Sequence, residues 1–452
     1  MDDSSPVAVD VAQAEGKLKR ELGLRDVTLF AIACIVGVRW VPSAAHAGPG
    51  SVMLWLIAAL FFVMPLAAAV GTLSVKYPGS GGLYYWTRND FGPWNGFLCF
   101  WIYWLGLAFW FPTAAMFYTS VGVYTLGPGF AHLADNRAFL ILASLVAIWI
   151  ALYTNLIGMR IGKWTENLGG FATWTLLALF IAMAAIVWAK RGPATHLNIV
   201  PKWNRDTLNL GAATIAYAMT GFELVALMGA EIREPARTLP RAGWIASGFA
   251  AAFYAVMTVA LLVVLAPSAI DERYGFAQGA DAAARLTGAL WLTPLIALLV
   301  LLTGMGQFGG IGSSVSRLPF AVGVDRMLPA AFARVHPKWH TPHISILLLG
   351  GVASFLLVVF QLGDTLRAAY DTLVSLMVIA GFIPYIYIFG SAWKASRQLS
   401  AVCGWSVTAI ALVSSIVPTG EIHNVWLFES KLALGTAAMV ASAWLLYRRA
   451  RA

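Results

Sequence analysis

The chain has 452 residues, 60% of them hydrophobic and only 11% charged, which excludes a soluble globular protein and predicts a polytopic membrane protein. Its formal net charge of +9 comes from basic residues in loops between apolar runs, so membrane topology accounts for it and no nucleic-acid partner is implied. Three cysteines, Cys34, Cys99 and Cys403, stand singly inside apolar runs and specify neither a disulfide framework nor a zinc site.

Residues 1–22 are polar and mixed in charge, with no apolar core that would make a cleavable signal; the first span itself is expected to direct insertion and to leave the tail, residues 1–26, in the cytoplasm. Charge-poor runs of spanning length follow near 28–46, 50–75, 93–126, 138–159 and 166–189. The second half repeats the pattern near 208–231, 241–266, 287–315, 344–361 and 369–393, with two more runs near 400–418 and 430–447. This predicts an all-α, multi-pass protein of twelve transmembrane helices. Two five-helix units, 27–190 and 208–393, are followed by a helix pair over 399–448 and a short cytoplasmic tail, 449–452. An odd number of spans per unit gives the two units opposite topology. With the N-terminus inside, 20 of the 30 Lys and Arg lie on the cytoplasmic side, nine lie outside and one, Arg39, lies within the membrane, the bias expected of a cell-membrane protein with both termini cytoplasmic. The Gly/Pro clusters Pro78-Gly79-Ser80-Gly81-Gly82, Gly92-Pro93 and Gly127-Pro128-Gly129 read as turns.

Two spans carry the chemistry. The first, VTLFAIACIVGVRWVPSAAHAGPGS, is interrupted by Gly37, Arg39 and Pro42. The sixth reaches Thr220-Gly221-Phe222-Glu223 after about half a crossing, becomes apolar again as far as Glu231, and ends in a charged turn with Glu234, Pro235, Arg237, Pro240 and Arg241. A carboxylate near mid-membrane is costly and marks a functional site. Interrupted spans at corresponding places in two halves point to a transporter site, because half-helix dipoles and unwound backbone hold a substrate's charged ends. N–H groups near Gly37 are expected to face a carboxylate, and carbonyls near Thr220 an ammonium, which is a binding chemistry for zwitterions. Glu223 is read as the only carboxylate well inside a span. Arg39 and Glu223 each lie two residues after a break glycine, so the repeat predicts an ion pair between them; the alternatives are that Arg39 binds the substrate carboxylate or extends to the outer surface.

Several stretches resemble the amino acid/polyamine/organocation superfamily. They are the broken first span with Gly37, the loop KYPGSGGLYYW with FGPWNGF, GFE and EIREPARTLPRA in the sixth span, and SSVSRLPFAVGVDRMLPAAFARVHPKWHTP after the eighth. The last is similar to the branch of light-chain amino acid transporters, glutamate/GABA exchangers and polyamine importers. The resemblance implies a five-plus-five inverted repeat with discontinuous first and sixth helices, and transport of amino acids by alternating access. Position by position it implies that Ile35, Val36, Gly37 and Val38 hold the substrate carboxylate and that Tyr217, Ala218, Thr220 and Gly221 surround the amino group, with Tyr217 as an aromatic gate. Ser313 and Ser314, with Ser316, match the region where sodium-coupled relatives bind a cation. The chain departs from the pattern in Gly37-Val38-Arg39-Trp40, where relatives have small residues. It departs again at Thr173, where some proton-coupled relatives carry a lysine, so the coupling ion, proton or sodium, stays open.

No metal site or organic cofactor is expected. His336, His340 and His343 have helical spacing, but Pro337 and Pro342 break any helix that would align them. The remaining histidines are scattered, so an enzyme is not expected. The competing classes are a polyamine importer, which would need several carboxylates where this chain has Glu223, and a non-transporting sensor with the same fold. The expected partners are a small amino acid and the bilayer, with oligomeric state open.

Overall fold

The computed structural model describes residues 22–77, 81–227, 229, 232–339, 341–361, 366–416 and 425–451. The predicted turn at 78–80, Glu231, His340 and His423 lie outside the described residues. The fold is built from helices. The first expected span is two of them, α1 (Leu24–Ile35) and α2 (Trp40–His46), bent by 52° at their junction. The restart puts Pro42 in the first turn of α2, where its missing N–H costs no hydrogen bond. Next come α3 (Ser51–Lys76), α4 (Leu83–Phe91), α5 (Pro93–Gly122), α6 (Arg137–Leu156) and α7 (Met159–Arg191). Within α3 a wide π-helical turn, Ala59–Val63, precedes Pro65 and absorbs the hydrogen bond that proline cannot make.

The sixth expected span is also interrupted. Arg205–Asn209, the π turn Leu210–Ile215 and Ala216–Ala218 form α8, and after a gap α9 (Glu223–Ala226) continues. Then follow α10 (Pro235–Val264), α11 (Gly275–Thr287), α12 (Leu292–Val315), α13 (Arg317–Val324), α14 (His343–Gln361), α15 (Leu366–Lys394), α16 (Gln398–Ile416) and α17 (Val425–Arg451). Among the described residues nine helices are long and apolar enough to cross a membrane, or ten with α1 and α2 taken as one broken span. The segments where the sixth and twelfth spans were predicted, α8–α9 and α17, are not among them. Helices α4, α11 and α13 stand where the sequence suggested only turns and loops.

Burial sorts the helices. The span carrying α5 is 83% buried, those of α12 and α15 are 72% and that of α10 is 67%, so these form the middle of the bundle. By contrast α7 and α14 are each 33% buried and α16 only 28%, and their exposed faces carry Trp174, Ile181, Phe355 and Val413, as expected against lipid. Small residues allow the closest crossing: a Cβ on Gly169 of α7 would stand 2.5 Å from the Gly306 Cα of α12. Thr173 reinforces that seam, its hydroxyl lying 3.2 Å from Thr303 Oγ1. This seam fastens a lipid-facing helix, α7, to a central one, α12.

A second carboxylate, Glu166, lies in the first turns of α7, which begins at Met159, and packs against α12, where a Cβ on Gly309 would meet Glu166 Cγ at 3.3 Å. No helix breaker follows Gly158, whose φ of +99° favours glycine, so the helix runs through the polar stretch that hydropathy assigned to a loop.

Candidate substrate site

Both interruptions open at the same place. Gly221 has φ +120°, and a Cβ there would stand 2.9 Å from the Cys34 carbonyl oxygen, so only glycine lets the break of the sixth span touch the end of α1. The unwound segments leave backbone groups without helical partners, and these are satisfied in an unusual way. The Tyr254 hydroxyl of α10 accepts from the Gly37 N–H at 2.8 Å and lies 2.9 Å from the Ile35 oxygen, 3.3 Å from the Gly37 oxygen and 3.0 Å from the Ala218 oxygen. One hydroxyl thus ties the two breaks together. Its ring stacks on Trp55 at 4.1 Å, and Trp55 donates to Thr258 Oγ1 at 3.1 Å. From α12, the Gln307 amide donates to the Val36 oxygen at 3.1 Å and accepts from the Tyr118 hydroxyl at 2.8 Å.

Between these elements lies a cavity of ≈ 40 Å³. Of the residues named from the sequence, Ile35, Tyr217, Ala218, Thr220, Gly221 and Glu223 line it. Val36, Gly37, Val38 and Arg39 do not line it; they are buried behind it. Tyr217 is 6% exposed, its ring edge-on to Trp40 at 5.8 Å and close to Phe382 at 6.0 Å. Gly381 on α15 makes room for that ring, since a Cβ there would be 2.4 Å from Tyr217 Cε2. Thr220 returns its hydroxyl to the Tyr217 oxygen at 2.8 Å. Glu223 is 2% exposed and accepts from the Tyr103 hydroxyl at 2.6 Å and from the Gly221 N–H at 3.1 Å, with Tyr385 in reach of the same carboxylate.

The predicted Arg39–Glu223 ion pair is absent. Arg39 is 2% exposed, donates to Thr113 Oγ1 at 3.1 Å and to the Met377 sulfur at 3.4 Å, and lies 3.9 Å over the Trp40 ring. Pseudo-equivalence along the chain did not bring the two charges together, because each found closer partners on α5 and α15. Nor does Arg39 extend to the surface. Ser313 and Ser314 donate to the Gly310 oxygen of their own helix at 2.9 Å and 3.2 Å and lie outside the cavity lining. His336 stacks on Trp339 and meets His343 at 5.3 Å, and among the described residues no group of three His, Cys, Asp or Glu gathers to hold a metal.

Tyr254, Gln307 and Tyr385 were not singled out by sequence. Gln307 carried a signal, an amide in the apolar run GMGQFGG, where an intramembrane polar group must find a partner. The aromatics carried none, since a lone tyrosine in an apolar helix has the same pattern whether it packs or binds.

At one end of the bundle, α4 is tied to the segment after α13: Asp325 accepts from the Tyr84 hydroxyl and from Arg88 at 2.8 Å. Burial pushes the Asp325 carboxyl above its usual range, while Tyr84 and Arg88 pull it back.

A helical bundle with two interrupted helices meeting at an enclosed polar cavity is the architecture of a membrane transporter, not of an enzyme. The amino acid permease family model matches residues 22–427, and the chain belongs to that family. An uncharacterized transporter of Legionella pneumophila is 25% identical over 95% of this chain and 97% of its own. The serine/threonine exchanger SteT of Bacillus subtilis is 26% identical over 73% of this chain and 74% of its own. In fold the chain is similar to MhsT, solved in complex with L-phenylalanine, with a TM-score of 0.61 and 14% identity over 89% of this chain and 98% of that one. The protein is a membrane permease for amino acids.

Proposed function

We propose that this permease moves amino acids across the cell membrane by alternating access at the cavity between the two breaks, with twelve spans and both termini cytoplasmic. The observation that carries the reading is the meeting of both interrupted helices around Glu223, whose carboxylate faces the cavity and suits a substrate ammonium. Tyr217 acts as the gate, because its ring closes against Trp40 on the opposite broken helix. A polyamine would call for several carboxylates, and among the described residues that line the cavity Glu223 is the one carboxylate. The serine and threonine exchanged by SteT and the L-phenylalanine bound to MhsT support amino acids as the class.

The test is uptake by purified protein in liposomes, offered a panel of amino acids and polyamines with and without proton and sodium gradients. Amino acid uptake above empty liposomes, lost in Glu223→Gln, is the expected result. Amino acid binding without flux or counterflow in any condition would instead identify a sensor.

A further inference from the structure

The cation of the first break has no anion. Among the described residues no carboxylate lies within 4.0 Å of Arg39, although the side chain is 2% exposed in the middle of a span. Its five N–H donors meet a hydroxyl and a thioether sulfur, both weak acceptors, and Nε meets none. Thr113 is fitted to this role, since its own proton goes to the Trp110 oxygen at 2.8 Å and leaves an oxygen lone pair for the guanidinium. Trp40, 3.9 Å from the guanidinium, and Trp110, at 5.7 Å, both line the substrate cavity. Arg39 therefore sits one aromatic layer away from the cavity.

One backbone donor of the break that could take a carboxylate is already in use. The Gly37 N–H is bound by the Tyr254 hydroxyl, and Glu223 is held apart from Arg39 by Tyr103 and the Gly221 N–H. An unpaired buried cation and a separately held buried anion on opposite broken helices complement a zwitterion.

We propose that Arg39 is the carboxylate anchor of this site, reached when Trp40 parts from Tyr217, so that a substrate must carry a carboxylate as well as an amine. The assignment rests on the amino acid transport reading. It makes the site selective against decarboxylated amines, and it couples recognition to the ring pair that closes the cavity: the carboxylate that draws the guanidinium inward displaces the Trp40 ring resting on it.

The test compares L-serine, L-threonine, L-leucine and L-phenylalanine with the amine made by removing each carboxyl group, in liposome uptake and in ligand-induced thermal stabilisation. Wild-type protein is expected to favour the transported amino acid over its amine by at least about thirtyfold, the scale of a lost charge-assisted pair. In Arg39→Gln that ratio falls toward one, chiefly through weaker amino acid binding. In Arg39→Lys, which keeps the charge but not the fork of donors, amino acid affinity drops severalfold while amine affinity is unchanged. The lysine variant carries the test if the glutamine variant does not fold. A folded Arg39→Gln that keeps the wild-type ratio, or an Arg39→Lys that weakens amino acid and amine equally, overturns the anchor while leaving transport intact. Absence of any wild-type amino acid uptake or binding refutes the transport reading and the anchor together.

Discussion

Tyr254→Phe removes one oxygen atom and should loosen both breaks at once. In the native site that oxygen satisfies the Gly37 N–H at 2.8 Å and donates to one of three carbonyls, of Ile35, Gly37 and Ala218, all within 3.3 Å. The phenyl ring keeps the stack on Trp55, so packing is retained and only polar pairing is lost. An orphaned buried N–H costs about 1–3 kcal/mol, whereas the carbonyls, sharing a single proton already, lose less. Taking about 2 kcal/mol, and 1.4 kcal/mol per factor of ten, the equilibrium between closed and opened breaks shifts roughly thirtyfold. Cys34 reports it directly. It lines the cavity, is a free thiol and is 5% exposed, so a small alkylating reagent reaches it only on opening. In a background with Cys99→Ala and Cys403→Ala, Tyr254→Phe should speed Cys34 alkylation by about one to two orders of magnitude while the protein stays folded in detergent. An unchanged rate would refute the idea that this hydroxyl latches the two broken helices.

Tyr217→Ala should weaken uptake more than Tyr217→Phe, because the ring closing on Trp40 is what the gate requires; equal losses would assign the role to the hydroxyl instead. Gly221→Ala should abolish transport and cost stability of roughly 1–3 kcal/mol, since φ +120° is strained for alanine and the methyl would meet the Cys34 carbonyl at 2.9 Å; denaturant unfolding and uptake check it, and wild-type behaviour would mean that the break relaxes freely. Single cysteines at Asn89 and Ala194, both exposed, should label from opposite sides of the membrane, the former from the cytoplasm; labelling from one side contradicts the proposed topology.

The places where helices fail were readable from residue types. Gly37 and Pro42 in one apolar run, and Gly221 beside Glu223 in another, are costly inside a continuous span, so the chain there must unwind or be held by something else. Surface elements such as α4 and α11 were missed because their apolar face is short and their polar face resembles a loop. The start of α7 was missed for a related reason: hydropathy marks where a helix enters lipid, not where its hydrogen bonds begin, and Glu166 falls between the two.

Residue types by themselves determined that this chain spans a membrane as a helical bundle and where its two helices break, at Gly37 and beside Thr220, Gly221 and Glu223; Tyr217 was added by the family resemblance. Tertiary structure alone decided which partners satisfy the charges and the unwound backbone. Arg39 turns to Thr113, 74 residues away, and Glu223 to Tyr103, 120 residues away, while Tyr254 reaches Gly37 across 217 residues. A buried polar group must be satisfied, and the sequence says so; which group satisfies it depends on the packing of helices distant in the chain, and no local pattern encodes that choice.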